Sequence, residues 1–145
     1  IEVHLGMKNI IARLATIDDL AFVSQEGYLS QEMVAHKVSQ EECFLVEVND
    51  EPVGYLRLEY LWSLVPYIAL IHIQKDHQKQ GYSRVLLDFV IETLRKKGHD
   101  CLYSSSQVDE PAPQAWHRHM GFEECGVVNR INEGEIGEIF FRMTL

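Results

Sequence analysis

The segment from Ile71 to Lys97 constrains this chain more than any other. A nearly continuous apolar run, Pro66 to Ile73, passes through the polar turn Gln74-Lys-Asp-His-Gln-Lys-Gln-Gly81 into a stretch where Val85, Leu86, Phe89, Val90 and Leu94 recur at helical spacing. The run predicts a strand buried on both faces, and the recurrence predicts an amphipathic helix from Ser83 to Lys97, stopped by Gly98. A strand feeding a helix through a turn makes an α/β unit. It also makes an anion site, because the first helical turn leaves about four backbone N–H groups unpaired at the positive end of the helix dipole.

The rest of the chain is consistent with a mixed sheet. Strands are predicted at Ile10 to Leu14, Cys43 to Val48, Val53 to Leu61, Cys101 to Ser104, Glu123 to Ile131 and Ile136 to Met143. The second and third of these form a hairpin across Asn49-Asp-Glu-Pro52. Thr16-Ile-Asp-Asp19 opens one helix, Ser30 to Val38 is another, and Ala112 to Met120 follows a cap at Asp109 and Glu110 with Pro111 in its first turn. The order β, α, α, β, β, β, α, β, α, β, β implies an α/β (α+β) fold of about seven strands with helices on both faces. With 145 residues and no repeat or linker, one domain is expected. Met7 is read as its natural start, giving a domain from 7 to 145, and residues 1–6 are set aside from fold reasoning as a remnant of expression.

Charge narrows the range of partners. The formal net charge is −9, which argues against nucleic acid and anionic membranes. Between Ile71 and Gly98, however, the bases Lys75, Lys79, Arg84, Arg95, Lys96 and Lys97 outnumber Asp76, Asp88 and Glu92, leaving a local excess of +3. Arg95 to Lys97 suit a helix C-terminus, whereas Lys75, Lys79 and Arg84 flank a helix start. The three cysteines, an odd and sparse set, suggest free and mostly buried thiols in a reducing compartment. No apolar run is long enough for a membrane span, and a cytoplasmic protein is expected.

A nucleotide loop of the Walker type needs a second Gly and a Lys-Ser/Thr pair, and a dinucleotide fold needs G-x-G-x-x-G; neither is present. Gln78-Lys-Gln-Gly81-Tyr-Ser83 instead resembles the Q/R-x-x-G-x-G/A signature of the GNAT superfamily of acyl-CoA-dependent N-acetyltransferases. About 35 residues after Gly81, Trp116-His-Arg-His-Met-Gly121-Phe122 resembles the second signature, an aromatic helix closing on Gly-Phe. The resemblance extends from about Ile10 to Leu145. It implies an acetyltransferase using acetyl-CoA as co-substrate, without a metal, on a primary amine of a small molecule or peptide. It also implies that the amides of Lys79, Gln80, Gly81, Tyr82, Ser83 and Arg84, beside Gln78, hold the coenzyme pyrophosphate. The main chain of Ile71, His72 and Ile73 would pair with the pantetheine arm, where Pro66 to Ile73 and Cys101 to Ser104 splay apart.

The sequence departs from that pattern at three positions. Ser83 stands where Gly or Ala is usual. His117 occupies the place of a Tyr that serves as general acid; it could donate a proton to the departing thiolate, or be a half-exposed helix residue with the thiolate leaving unaided. Leu70 stands where a Glu base is common, and Glu59 on the neighbouring strand is a weak substitute that competes with pairing to Arg57. Acceptor contacts implied by the resemblance fall in the loop Gln25 to Ser30, with Glu26 and Tyr28, and in the last hairpin, with Glu133 and Glu135. Their acidity suggests a cationic acceptor. A non-catalytic acyl-CoA-binding module, or a dimeric interaction domain built on the aromatic third and fourth strands, is the alternative.

Overall fold

A computed structural model describes residues 1–5 and 8–145 and, for Glu2–Leu5, the course of the backbone. The chain divides into two compact units, Ile1–Leu58 with Leu70–Thr93, and Glu59–Ala69 with Leu94–Leu145.

In the first unit, β1 (Glu2–Leu5), β2 (Lys8–Leu14), β3 (Cys43–Val48) and β4 (Glu51–Leu61) form consecutive antiparallel pairs. The stretch set aside at the N-terminus thus supplies a strand, pairing Val3 with Ile10; Gly6 and Met7, the expected start, lie outside the described residues. Period-2 alternation on β3 separates two packed layers. Cys43 and Leu45 join Tyr55, Val23 and Val34 under two helices, α1 (Leu20–Val23) and α2 (Gln31–Ser39). Phe44 points the other way and meets Phe89 of α3 (Tyr82–Lys96) edge-on at 6.0 Å. Helices therefore cover both faces, as expected. The Ser30 hydroxyl accepts from Met33 N–H at 3.2 Å and starts α2. The hairpin loop is shorter than expected: Asn49 and Asp50, at φ 51° and 67°, make a two-residue turn, and Pro52 already lies in β4.

In the second unit, β6 (Cys101–Gln107) pairs in antiparallel fashion with β8 (Glu138–Thr144), which pairs with β7 (Glu123–Val128). β5 (Val65–Ile73) runs through both units and meets β6 in parallel at Tyr67↔Tyr103. β5 is not buried on both faces along its length: Pro66 and Ile68 are buried, while residues 69–73 are half-buried. α4 (Pro111–His119) starts at Glu110, but neither Asp109 nor Glu110 provides the expected side-chain cap. Gln114 Nε2 instead binds the carbonyls of Gln107 and Val108, at 3.1 and 3.0 Å.

Eight strands are present among the described residues, against about seven expected, in the mixed α/β arrangement anticipated. The thiols differ from expectation. Cys43 is buried, and burial pushes its thiol up to about 11, but Cys101 is half-buried and Cys125 exposed, and all three are free. No helix among the described residues is long and apolar enough to cross a membrane.

Candidate active site

The polar turn lies at the head of α3. Lys75–His77 form a single 3-10 turn, Gln78 Nε2 donates back to the Ile73 carbonyl at 3.0 Å, and Gln80 Nε2 donates to the Asp76 carbonyl at 3.3 Å. These side-chain bonds draw the turn together without using its own amides. The first bond of the helical ladder runs from Val85 N–H to the Gly81 carbonyl at 3.3 Å, so the N–H groups of Tyr82, Ser83 and Arg84 stand ahead of it. Gly81 has φ 86°, and a Cβ built there meets no atom within 4 Å, so the backbone is open on that side. Lys79, at φ 61°, is exposed.

The turn has a second source of positive charge that sequence reasoning did not supply. Lys8 of β2 donates to Gln80 Oε1 and Tyr82 Oη, each at 3.1 Å, and lies 5.7 Å from the centre of the Tyr82 ring. No local signal marks Lys8, because 72 residues separate it from Gln80. Tyr82, expected only as an amide donor, is 2% exposed and anchors the turn through its ring.

Ile71, His72 and Ile73 are half-buried on β5, and the His72 ring lies 5.7 Å from that of Tyr55. β4 approaches them closely. A Cβ on Gly54 would strike the Ile73 side chain and lie 2.9 Å from the His72 carbonyl oxygen.

Glu26 is not a loop acid facing solvent. Its carboxylate accepts from Tyr55 Oη at 2.6 Å and from Arg57 Nη1 at 2.7 Å, so Arg57 forms an ion pair with Glu26. Burial works to raise the Glu26 carboxyl, but the Tyr55 hydroxyl and the Arg57 guanidinium outweigh it and hold the group below the usual carboxylate range. Strand spacing gave no sign of Glu26, because an i, i+2 pattern speaks only for neighbours on one strand and this charge arrives from a loop. Tyr28 is 79% exposed. Glu133 and Glu135 belong to a 3-10 turn, and Glu135 accepts from Arg130 at 2.8 Å on the surface.

His117 differs from both readings of the sequence. It is 4% exposed, not half-exposed. Its Nδ1 lies 2.8 Å from the Pro113 carbonyl oxygen and its Nε2 lies 2.6 Å from Ser104 Oγ. A carbonyl can only accept, so Nδ1 carries the proton and Nε2 accepts from the Ser104 hydroxyl. Burial lowers the imidazole's affinity for a second proton, against a smaller opposing effect of the Pro113 carbonyl. The ring stacks on Phe141 at 4.5 Å with an interplanar angle of 4°. With both nitrogens occupied inside the core, this geometry suits a packed, neutral histidine better than a proton donor. Among the described residues, no three His, Cys, Asp or Glu side chains gather as a metal ion would require.

Residues 11–122 match the model of the acetyltransferase (GNAT) family. An uncharacterized N-acetyltransferase of Methanocaldococcus jannaschii is 26% identical over 98 residues, which covers 63% of this chain and 43% of that protein; the chain thus spans less than half the length of this curated relative. The ribosomal-protein-alanine N-acetyltransferase of Brucella melitensis superposes with a TM-score of 0.81 at 19% identity, covering 93% of this chain and 99% of that one. A Salmonella typhimurium acetyltransferase solved with acetyl-CoA gives 0.80 at 15% identity, covering 94% of each chain. At such identities these two structures speak for the fold.

Proposed function

Because the chain belongs to the acetyltransferase (GNAT) family, we propose that it transfers an acetyl group from acetyl-CoA to a primary amine, the amine attacking the thioester directly while both substrates are bound. One observation carries this reading: the turn from Gln78 to Ser83, with Gly81 open at φ 86° at the head of a 15-residue helix. A pyrophosphate fits such a turn, since amides and dipole favour an anion and nothing projects from Gly81 to keep it away. Lys79 and Lys8 add positive charge, and Arg84 follows one helical step later. In this reading the amides from Lys79 to Arg84 hold the pyrophosphate, and the main chain of Ile71 to Ile73 takes the pantetheine arm. Acetyl-CoA supplies an activated acyl carbon, whose developing oxyanion is met by backbone N–H groups of the same strand.

A thiol with an ordinary pKa near 8.5 is a fair leaving group without much help, so no proton need pass through His117. Residues 7–145 act as one acetyltransferase domain. The acceptor is a primary amine on a peptide or a small molecule; the Brucella relative, named for a protein alanine, makes peptide amines the first to try. The case for a cationic acceptor weakens, since Arg57 compensates Glu26 and Arg130 compensates Glu135.

The test combines calorimetry with a thiol-release assay over peptide and small amines. Wild type should bind acetyl-CoA and release thiol. Gly81→Val should lower affinity at least 100-fold, because its side chain would occupy the approach to the turn. Lys79→Glu, which leaves the fold alone, should weaken binding about tenfold by charge reversal. Undiminished binding in both variants would remove the turn from the site. Binding without release across the panel would favour the non-catalytic acyl-CoA module, and no binding would favour the interaction domain.

A further inference from the structure

Within the first unit, the loop between α1 and α2 reaches the strand to which the acetyl-transfer reading gives the pantetheine arm. Alternation on β4 and β5 brings the two together. Tyr55 stands in register with Leu45 and Arg57 with Cys43, so both side chains face the layer of α1 and α2. On β5, Leu70 packs against the same cluster, and the His72 ring lies 5.7 Å from that of Tyr55. Gln74, just past the strand, donates from Nε2 to Gln25 Oε1 at 3.4 Å. Every second side chain from Leu70 to Gln74 therefore turns towards the loop and its helices.

The loop itself reverses direction within three residues. Glu26 sends its carboxylate inward, 10% exposed, to Tyr55 Oη and Arg57 Nη1. Gly27 follows at φ 76°, its N–H closing a turn on the Ser24 carbonyl at 3.2 Å, and Tyr28 beyond it stands in solvent. A surface tip is thus bolted into the core by one side chain. Arg57 is 4% exposed, and its buried Nε has no hydrogen-bond partner among the described residues. A guanidinium so placed has given up most of its water, and the Glu26 carboxylate supplies a hydrogen-bonded counter-charge. The Tyr55 phenol can only donate to a carboxylate, so each Glu26 oxygen is committed to a different partner and the group is held against rotation.

Resting on the acetyl-transfer reading, we infer that Glu26, Tyr55 and Arg57 are positioning residues for the pantetheine arm: their bolt fixes the loop, and loop and Tyr55 together hold Ile71 to Ile73 in place before the arm arrives. One line of contact runs from Glu26 through Tyr55 to the His72 ring, and a second from Gln25 to Gln74, one residue past Ile73. Both lie in the first unit, as does the turn around Gly81. A strand ordered in advance spares binding the entropy of ordering it, so the bolt raises affinity without touching the coenzyme. The turn has its own support in the bonds of Gln78 and Gln80.

The test compares wild type, Tyr55→Phe and Glu26→Gln. Tyr55→Phe removes one donor and leaves the ion pair, so it serves even where Glu26→Gln, which strips a buried guanidinium of its counter-charge, fails to fold. In hydrogen exchange on the free protein, the amides of residues 25–30 and 71–74 should open about tenfold faster in Tyr55→Phe, while the middle of α3 keeps its wild-type protection. By calorimetry, acetyl-CoA should bind Tyr55→Phe about five- to tenfold more weakly, and Glu26→Gln more weakly still. ADP, which has the pyrophosphate but no arm, should displace acetyl-CoA with a dissociation constant of its own that stays within about twofold across the three proteins, whereas Lys79→Glu should weaken both ligands. Unchanged acetyl-CoA affinity, or equal losses for ADP and acetyl-CoA in Tyr55→Phe, would overturn the bolt alone. No binding of acetyl-CoA by wild type, or no displacement by ADP, would overturn the site given by the acetyl-transfer reading and the bolt with it.

Discussion

His117 shows how a side chain with a familiar functional repertoire can be committed to the core. Its Nδ1 proton goes to the Pro113 carbonyl, its Nε2 takes the Ser104 proton, and its ring lies flat on Phe141. A second proton would bury a charge and force the Ser104 hydroxyl to turn its own proton away and accept, so the native state holds His117 neutral below the pH at which an unfolded histidine protonates. The sign follows from proton counting: below about pH 6.5 the unfolded chain binds a proton that the folded chain refuses. Stability from this residue is therefore complete above about pH 6.5 and is lost as pH falls through the depressed native value, at up to about 1.4 kcal/mol per unit. Urea unfolding should show the wild-type midpoint falling between pH 7 and 5.5. His117→Phe should begin less stable at pH 7 by about 1 to 3 kcal/mol, with Ser104 left unsatisfied, and show little slope across that window. An equal slope in both proteins would assign the effect elsewhere. The carboxyl of Glu26, held low by Tyr55 and Arg57, acts in the same direction but in a window below its unfolded value.

Strand β4 comes close to His72 and Ile73 at Gly54, where the constraint is space and not backbone angle. The His72 carbonyl oxygen would lie 2.9 Å from an added Cβ, and a backbone oxygen in a ladder cannot swing aside as the Ile73 side chain could. Gly54→Ala should cost about 1 to 3 kcal/mol by overpacking, measured by chemical denaturation. The same variant should weaken acetyl-CoA binding, because His72 and Ile73 belong to the proposed pantetheine strand; unchanged stability and affinity would show that the strands relax at no cost. Helix α3 was legible as an element, since its apolar spacing recurs over four turns: of the positions read from that spacing Leu86, Val90 and Leu94 are fully buried and Val85 and Phe89 half-buried, while Leu87, outside it, is buried as well. Strand β5 was legible in extent but not in burial. An apolar run looks the same in sequence whether its residues end up buried or half-buried, and here residues 69–73 are half-buried.

The charge of the protein is distributed against its sum. A net −9 coexists with a basic turn at Lys75, Lys79 and Arg84, to which folding adds Lys8. The dissociation constant for acetyl-CoA should accordingly rise severalfold between 0.05 and 0.5 M salt, while acceptor KM changes less; a salt-independent constant would mean that backbone amides alone hold the phosphates.

The chain by itself determined the order of strands and helices after β1, the polar turn around Gly81 and the resemblance to one acetyltransferase family, because periodicity, turn chemistry and short motifs are written in adjacent residues. Only the tertiary structure decided the pairs that join distant positions: Lys8 with Gln80, Glu26 with Arg57, His117 with Ser104, and Tyr67 through Ser105 to Glu138. Sequence spacing governs which neighbours share a face. It carries no information about which side chain a loop or strand tens of residues away will bring to that face, and proton affinities and charge balance depend on those partners.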